Sequence, residues 1–494
     1  MKKGVAVILA FLTAHVYAQD LYFSNLHYRN HFLFDSLSLS QQNHSSIKPQ
    51  LKTFGTTNDY KVVAKVAKNA LLYPIVDLGL GYDYTTNLSY TTGLGLGFDY
   101  SRSKLVVTGK VLPYFRQGGY VVDSIQNISH IDIGTGRPLS GNIFLQGELL
   151  AAYNANKFFT FIGGIGKNFF GEGYRSLLLS DNAAASPFVK METTFWTIKY
   201  VSLINMWNDF YNEPTNRSKD ITKLSASHYL SWNITKAINF SVFESVVWQA
   251  KDSLTNRYFE PNYMNPFVLY RPVEYAQGSA DNVLIGTNIS FKPTNKITTY
   301  AQLILDEFYL VEIRARNKWW ANKFGVQTGI KIKDLIVSNL YGQLEFNMVR
   351  PYTFSHKQSP QSYSHANASV THPLGSNFFE LTGILSYQKN QHQLTGLFSY
   401  SMFGTDTSDI SYGQNIFQSY SNRPGNYNHT IGQGLQHNVF SANLFYERAL
   451  NISPNLYLTA RIQLIFNQTP NNSFSNQSFE FGFRSRIWNR YDDY

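Results

Sequence analysis

The sequence predicts an all-β protein, a bacterial outer-membrane transmembrane β-barrel of about 18 antiparallel strands. Three observations predict it. Of the 494 residues, 16% are aromatic and only 15% charged, against roughly 25% charged in an ordinary soluble domain. Alternating apolar and polar segments, about ten residues each, recur from 72 to 488, whereas soluble strands average about five to six. The last segment sets Phe479, Phe481 and Phe483 against Glu480, Gly482, Arg484 and Arg486 shortly before Tyr494. A closing amphipathic strand with an aromatic end resembles the assembly signal of outer-membrane proteins.

Composition removes the competing classes. The aromatic content is too high for a disordered chain. There is no cysteine, which excludes a disulfide framework and thiol or cysteine-ligated metal chemistry. Mean hydropathy is −0.24, and no stretch after the N-terminus approaches the ~18 apolar residues of a membrane helix.

Residues 1–18, MKKGVAVILAFLTAHVYA, read as a signal peptide. Lys2 and Lys3 form the positive region, Val5 to Leu12 the short apolar region, and Val16 and Ala18 a small-residue cleavage site. The mature chain is expected to be exported to the bacterial outer membrane. Residues 19–71 form a separate N-terminal periplasmic or plug segment, in which Ala64, Val66, Ala67, Ala70 and Leu71 fit one side of a short helix.

The barrel is expected over 72–494. Leu72, Pro74, Val76, Leu78, Leu80, Tyr82 and Tyr84 alternate with a row that includes Asp77, Gly79, Gly81 and Asp83. Leu344, Phe346 and Met348 oppose Gln343, Glu345 and Asn347, and Ile462, Leu464 and Phe466 oppose Arg461, Gln463 and Asn467. Period two gives each strand an apolar and a polar face. A soluble sandwich would turn the apolar face inward; a membrane barrel turns it toward lipid. Aromatics at segment ends, such as Tyr82/Tyr84, Phe98/Tyr100, Trp319/Trp320 and Tyr400/Phe403, suit the interfacial girdles of a barrel. Longer connections are expected near 116–142, 167–187, 208–222, 251–281, 352–377 and 404–436.

Catalytic and nucleotide motifs are absent. Gly164-Ile-Gly166-Lys167-Asn168 lacks the upstream glycine and following Ser/Thr of a phosphate loop. His356, His365 and His372 are spaced nine and seven apart and read as solvated loop histidines. The net charge of +10 comes without a Lys/Arg run, so nucleic acid is not an expected partner.

Three loop regions carry distinctive wording: GKNFFGEGYRSLLLSDNAAASPF (Gly166–Phe188), PNYMNPFVLYRPVEYAQGSADN (Pro261–Asn282), and LDEF at 305–308 with VRPYTFSH (Val349–His356) and THPLGSNFFE (Thr371–Glu380). Together they resemble the Wzi-like family of outer-membrane capsule-assembly proteins, especially its Bacteroidetes branch, which includes a gliding-motility-associated member. The resemblance runs from about residue 72 to the C-terminus. It implies an 18-stranded barrel that binds exopolysaccharide at the cell surface as a lectin-like anchor, and it does not imply an enzyme. No cofactor or metal is expected from the residues. The expected partners are extracellular or capsular polysaccharide and outer-membrane lipid.

The polysaccharide-binding candidates are Arg175, Arg271, Glu274, Tyr275, Asp281, Asn282, Asp306, Glu307, Arg350 and Tyr352. Arg, Asp, Glu and Asn offer planar or bidentate partners to sugar hydroxyls. For any single residue the stronger expectation is that these charges pair with one another and lock loops across the lumen, as Arg271–Glu274 and Arg175–Glu172 could. Asp306 and Glu307 are adjacent on a strand and so point to opposite faces, which argues against a carboxylate pair flanking one glycosidic bond. A porin-like channel and a motility or secretion accessory barrel are the alternative functions.

Overall fold

A computed structural model describes residues 21–23, 43–53, 64–67, 69–84, 87–118, 134–210, 216–251, 256–266, 270–277, 281–407, 410–450, 452–453, 456–485 and 491. The expected signal peptide lies outside the described residues.

Eighteen long strands follow in order. They are β1 (Ala70–Asp83), β2 (Asn87–Arg102), β3 (Leu105–Gln117), β4 (Ile143–Asn154), β5 (Phe159–Gly166) and β6 (Ser186–Phe195). Next come β7 (Ile198–Asp209), β8 (Ile221–Asn233), β9 (Ile238–Gln249), β10 (Asn282–Thr294), β11 (Ile297–Glu307) and β12 (Lys323–Lys333). The last six are β13 (Leu340–Val349), β14 (Phe378–Lys389), β15 (His392–Thr405), β16 (Leu435–Ala449), β17 (Leu456–Gln468) and β18 (Ser473–Ser485). Each pairs antiparallel with its sequence neighbour, and β18 returns to β1 from Ser478↔Asp83 to Arg484↔Asp77. The molecule is thus a closed outer-membrane β-barrel. Closure gives every strand two neighbours, which lipid demands because it offers backbone groups no partner.

The strand pattern sorts as the alternation predicts. On β1, Leu78 is 41% exposed while neighbouring Asp77 is 2% exposed. Leu94 and Leu96 on β2, Leu344 and Phe346 on β13, and Ile462, Leu464 and Phe466 on β17 all lie on the outer surface. Gln343, Glu345, Asn347 and Gln463 are buried inside. Tyr82, Tyr84, Phe98 and Tyr400 are exposed, as girdle aromatics should be. Phe403 is not one of them: it is buried and stacks on His437 with centroids 4.9 Å apart. It stands one residue out of phase with Tyr400 and Met402, so it points inward. At the opposite rim Phe158, Phe195 and the 80% exposed Trp196 form an aromatic patch, with Phe195 and Trp196 centroids 4.4 Å apart.

The expected helix at 64–71 is absent. Ala64–Ala67 is a short strand that folds back on the start of β1, pairing Ala64↔Leu72 and Ala67↔Ala70. β18 covers β1 only between Asp77 and Asp83. The hairpin supplies partners to the remaining edge, a stronger requirement than the weak helical preference of alanine.

Between β2 and β17 short turns and long connections alternate along the chain, while β1–β2 and β17–β18 are joined by short turns. Seven long ones (118–142, 167–185, 210–220, 250–281, 308–322, 350–377 and 406–434) emerge at one end. In outer-membrane barrels that end faces outside and the short-turn end faces the periplasm. The 308–322 connection is the one that period counting overlooks, because Phe308, Leu310, Val311 and Ile313 continue the apolar rhythm of β11. Among the described residues, short helices occur within these connections: α1 (Pro261–Met264), α2 (Tyr270–Gln277) and α3 (Leu310–Ala315). None is long and apolar enough to cross a membrane; the strands do that.

Candidate functional site

Two long connections, 167–185 and 350–377, fold into the lumen. Residues 167–185 descend from β5 and bury Phe169, Phe170, Glu172, Arg175 and Leu177 to Leu179. Gly171 and Gly173 permit this. A Cβ at Gly171, whose φ is +148°, would lie 2.3 Å from Gln302 Nε2, and one at Gly173 would lie 2.5 Å from both Arg175 O and Glu345 Oε2. Side chains there would hold the loop off the wall.

The loop is fastened to inward-facing polar residues of four consecutive strands. Gln302 of β11 accepts from Leu177 N at 2.9 Å. Gln327 of β12 donates to Arg175 O at 3.1 Å. Glu345 of β13 accepts from Tyr174 N and Arg175 N at 2.7 and 3.1 Å. Glu380 of β14 binds Arg175 Nη2 at 3.1 Å, with both side chains fully buried. Arg175 therefore pairs with Glu380, and Glu172 turns to Lys331 at 3.7 Å and to the Ser45 hydroxyl at 2.5 Å.

Both flanks of the chain meet this loop. Ile47–Lys48 pairs with Phe169–Phe170, and Gly171 N donates to Ser46 O at 2.8 Å. His44 reaches Ser231 of β8 at 2.9 Å and Lys292 of β10 reaches Ser45 at 3.2 Å, both near the short-turn end. Burial, with Lys331 beside it, pushes the Lys48 ammonium down to about 7, opposed by Glu172. Burial alone would raise the Glu172 carboxyl, but Lys331, Lys292 and Lys48 hold it below its usual range. Tyr491, beyond β18, donates to Asp181 at 2.5 Å and packs edge-on to Tyr174, centroids 5.4 Å apart.

A second infolded connection, 350–377, closes over the first. Tyr363 donates to Leu178 O at 2.9 Å, Ser180 N to Val370 O at 2.7 Å, and Asn182 to Ser369 O at 3.0 Å. Lys223 of β8 caps Ser362 O at 2.9 Å. The three loop histidines are consequently buried rather than solvated. His372 binds Glu380 at 2.7 Å and stacks on Phe378. His365 accepts from Asn208 N at 3.0 Å. Burial and the nearby Lys223 push His365 down to about 3; burial and Lys323 push His356 down to about 4.

Of the ten candidates, several already have protein partners. Asp281 receives both guanidinium nitrogens of Arg257 at 3.0 and 2.8 Å and the Tyr263 hydroxyl at 2.8 Å. Asn282 donates to Gln361 O at 3.0 Å. Tyr352 is fully buried, and its hydroxyl donates to Ser411 O at 3.0 Å. Arg271 is exposed on α2; Glu274 and Tyr275 follow it on the same helix, their side chains outside the described residues.

Asp306 and Glu307 do not point apart. A register shift between Leu305 and Glu307 breaks the alternation, and both carboxylates reach Lys323, at 3.2 and 3.1 Å. The bulge overrides the period-two geometry. Asp306 also accepts from Phe354 N at 2.8 Å, so it fastens the second loop.

At the long-loop end three connections assemble an aromatic and cationic surface. Arg423 lies 4.0 Å over the Trp320 ring and donates to Asn426 at 2.7 Å. Trp320 meets Tyr420 at 4.7 Å and Trp319 at 6.1 Å. Arg350 donates to Trp319 O at 3.2 Å, and its Nε is buried without a partner among the described residues. Lys323 lies 5.0 Å from the Tyr420 ring, and half-exposed Glu307 completes the edge. Trp319 and Trp320 are thus loop residues, half-buried in this cluster, and not part of a lipid girdle. Sequence reading passed over Tyr420, Arg423 and Asn426. The available signal was the tryptophan pair standing between two strand patterns, behind the alternate basic residues Arg314, Arg316 and Lys318.

Among the described residues no group of histidines and carboxylates is placed to hold a metal ion. Stacking faces and charged hydrogen-bonding edges suit a polar ligand with apolar ring faces.

Fold and site together define an 18-stranded outer-membrane barrel with connections folded into its lumen and a built outer surface. The E. coli protein Wzi, described as a carbohydrate-binding β-barrel involved in group 1 capsule assembly, has a similar fold. Its TM-score is 0.57 at 13% identity, over 93% of this chain and 98% of that one. Pseudomonas aeruginosa OprD (TM-score 0.45, 9% identity, 86% of this chain and 96% of that one) and OccK5 (0.46, 6%, 86% and 100%) are more distant. No protein-family model and no curated sequence matches the chain.

Proposed function

We propose that this barrel sits in the bacterial outer membrane and binds exopolysaccharide at the cell surface, retaining capsule or slime without catalysis. The observation that carries the reading is the cluster of Trp319, Trp320, Tyr420, Arg423, Arg350 and Glu307 at the long-loop end, above the infolded connections. A pyranose meets the half-exposed Trp319 ring with its apolar face, while Arg423, Arg350 and Asn426 take its hydroxyls or carboxylates. The distinctive loop phrases support a place beside the Bacteroidetes branch of the Wzi-like family, and residues 43–50 act as a plug entering from the periplasm.

The test is binding of the purified barrel to the exopolysaccharide of the cell that makes it. Trp320→Ala and Arg423→Ala should each weaken binding about tenfold or more, since stacking and charged hydrogen bonds contribute on the order of 1–3 kcal/mol each. A mutant strain lacking the protein should release polysaccharide into the medium. Wild-type affinity in both variants, with the barrel folded, removes this site from the account. A porin reading requires an open lumen; stable ohmic conductance of the intact protein in planar bilayers would favour it over ours.

A further inference from the structure

We propose that the connection between β11 and β12 is a docking site for the phosphorylated glycolipid of the outer leaflet around the barrel. The proposal rests on the outer-membrane location above, and not on polysaccharide binding.

The connection presents an apolar strip that nothing in the fold covers. Phe308 is 54% exposed, Val311 59%, and Tyr309, Leu310 and Ile313 are exposed with them. A flexible loop would fold such side chains down. This one is held at its base: Tyr309 N donates to Asn322 at 2.9 Å, Trp320 N to Asn426 O at 2.9 Å, and Asn428 N and His429 N to Asn317 O and Lys318 O at 3.0 Å each. The backbone is fixed and its apolar tip is left standing, which marks a contact surface.

The strip continues the lipid-facing row of β11, where Leu303 is also exposed. The second half of the excursion changes character. α3 ends at Arg316, whose left-handed φ of 55° turns the chain, and Arg314, Arg316 and Lys318 are all exposed. Among the described residues no carboxylate lies within ion-pair distance of these three. Aliphatic side chains followed within one turn by unneutralised cations match a ligand that joins acyl chains to phosphates. A neutral saccharide satisfies neither half, and an acidic saccharide satisfies only the second.

The probe is a phosphorylated, multiply acylated diglucosamine lipid, titrated into the delipidated full-length barrel in neutral detergent and read by native mass spectrometry. Its dephosphorylated form and phosphatidylglycerol are the comparison ligands. Wild type should retain the phosphorylated glycolipid in preference to both. Each basic residue near an anionic surface contributes about fivefold, so Arg314→Ala/Arg316→Ala/Lys318→Ala should weaken retention on the order of a hundredfold. Val311→Ser/Ile313→Ser should weaken both glycolipid forms with no change in melting. Unchanged retention in the two variants overturns the proposal, as does equal retention of phosphatidylglycerol. Loss of exopolysaccharide binding in the triple variant with glycolipid retained would reassign the strip to sugar. Trp320→Ala and Arg423→Ala should leave glycolipid retention intact, so the two proposals fail separately.

Discussion

Arg175→Met is the most direct probe of the lumen lock. The substitution keeps an unbranched side chain of similar reach and removes the cation opposite Glu380. Glu380 then stays fully buried, keeping His372 at 2.7 Å and Asn347 at 3.1 Å but losing the guanidinium. Breaking a buried pair from one side costs about 3–5 kcal/mol, chiefly because the remaining charge is uncompensated. The barrel wall has its own closed ladder, so the cost falls on the loop and raises its opening constant on the order of a hundred- to several-thousandfold. The assay is amide hydrogen exchange of residues 170–180 in detergent, with wall amides of β13 and β14 as internal reference. Adding Glu380→Gln, which still offers an acceptor to His372 and Asn347 but carries no charge, should recover roughly half of the loss. Unchanged exchange at 170–180 in Arg175→Met would refute the lock; equal acceleration in the wall would show that the loop and barrel open as one.

The remaining predictions concern other fastenings. Packing of 350–377 should weaken as pH falls below 6.5, because His365 and His356 titrate at about 3 and 4 when packed and near 6.5 when released. In that window the released loop binds more protons, so each histidine lowers stability by up to about tenfold in equilibrium constant per pH unit. Tryptic cleavage after the exposed Lys357 should accelerate from pH 6.5 toward 4 in a rate-corrected assay; a flat profile counts against the buried neutral histidines. Asp281→Asn should cost about 1–3 kcal/mol in the 250–281 connection, since Arg257 loses its bidentate partner and Tyr263 a charged acceptor; faster amide hydrogen exchange of residues 257–264 reads this out. Gly164→Ala should block closure of β4 on β5, because its Cβ would lie 1.9 Å from Leu149 O at a φ of +144°. The fraction of protein with folded, heat-sensitive gel mobility should fall sharply, and a wild-type fraction would refute the steric account.

The wall was legible in the sequence and the contents of the lumen were not. Period-two alternation reports directly which side of a strand meets lipid, and Leu78 against Asp77 obeys it. The same signal cannot report on loops. Arg175 meets Glu380 across 205 residues, and Tyr363 meets Leu178 across 185. Such pairs depend on which strands closure brings opposite each other, a global property with no local trace. His356, His365 and His372 looked solvated because their neighbours are serines; those serines instead satisfy one another inside, as Ser362 does Ser364 at 2.8 Å. Local chemistry also failed where a bulge intervened: one register shift put Asp306 and Glu307 on the same lysine. The aromatic cluster lay between these cases. Its tryptophans were noticed, but girdle placement and loop placement look alike until the end of β11 is fixed.

The manner of filling constrains what the barrel can do. An inward row of Gln302, Gln327, Glu345 and Glu380 in an empty lumen would face water and need nothing further. Here the row is spent on backbone and side chains of 170–177, and those groups would become buried and unsatisfied if the loop withdrew without water replacing it. Opening is therefore a hydration event across several coupled hydrogen bonds, not the swing of a hinge. Tyr363 and Val370 tie the second loop to the first, and Tyr352 on that second loop packs against Trp320 at 6.0 Å. The plug thus doubles as the floor of the outer aromatic surface.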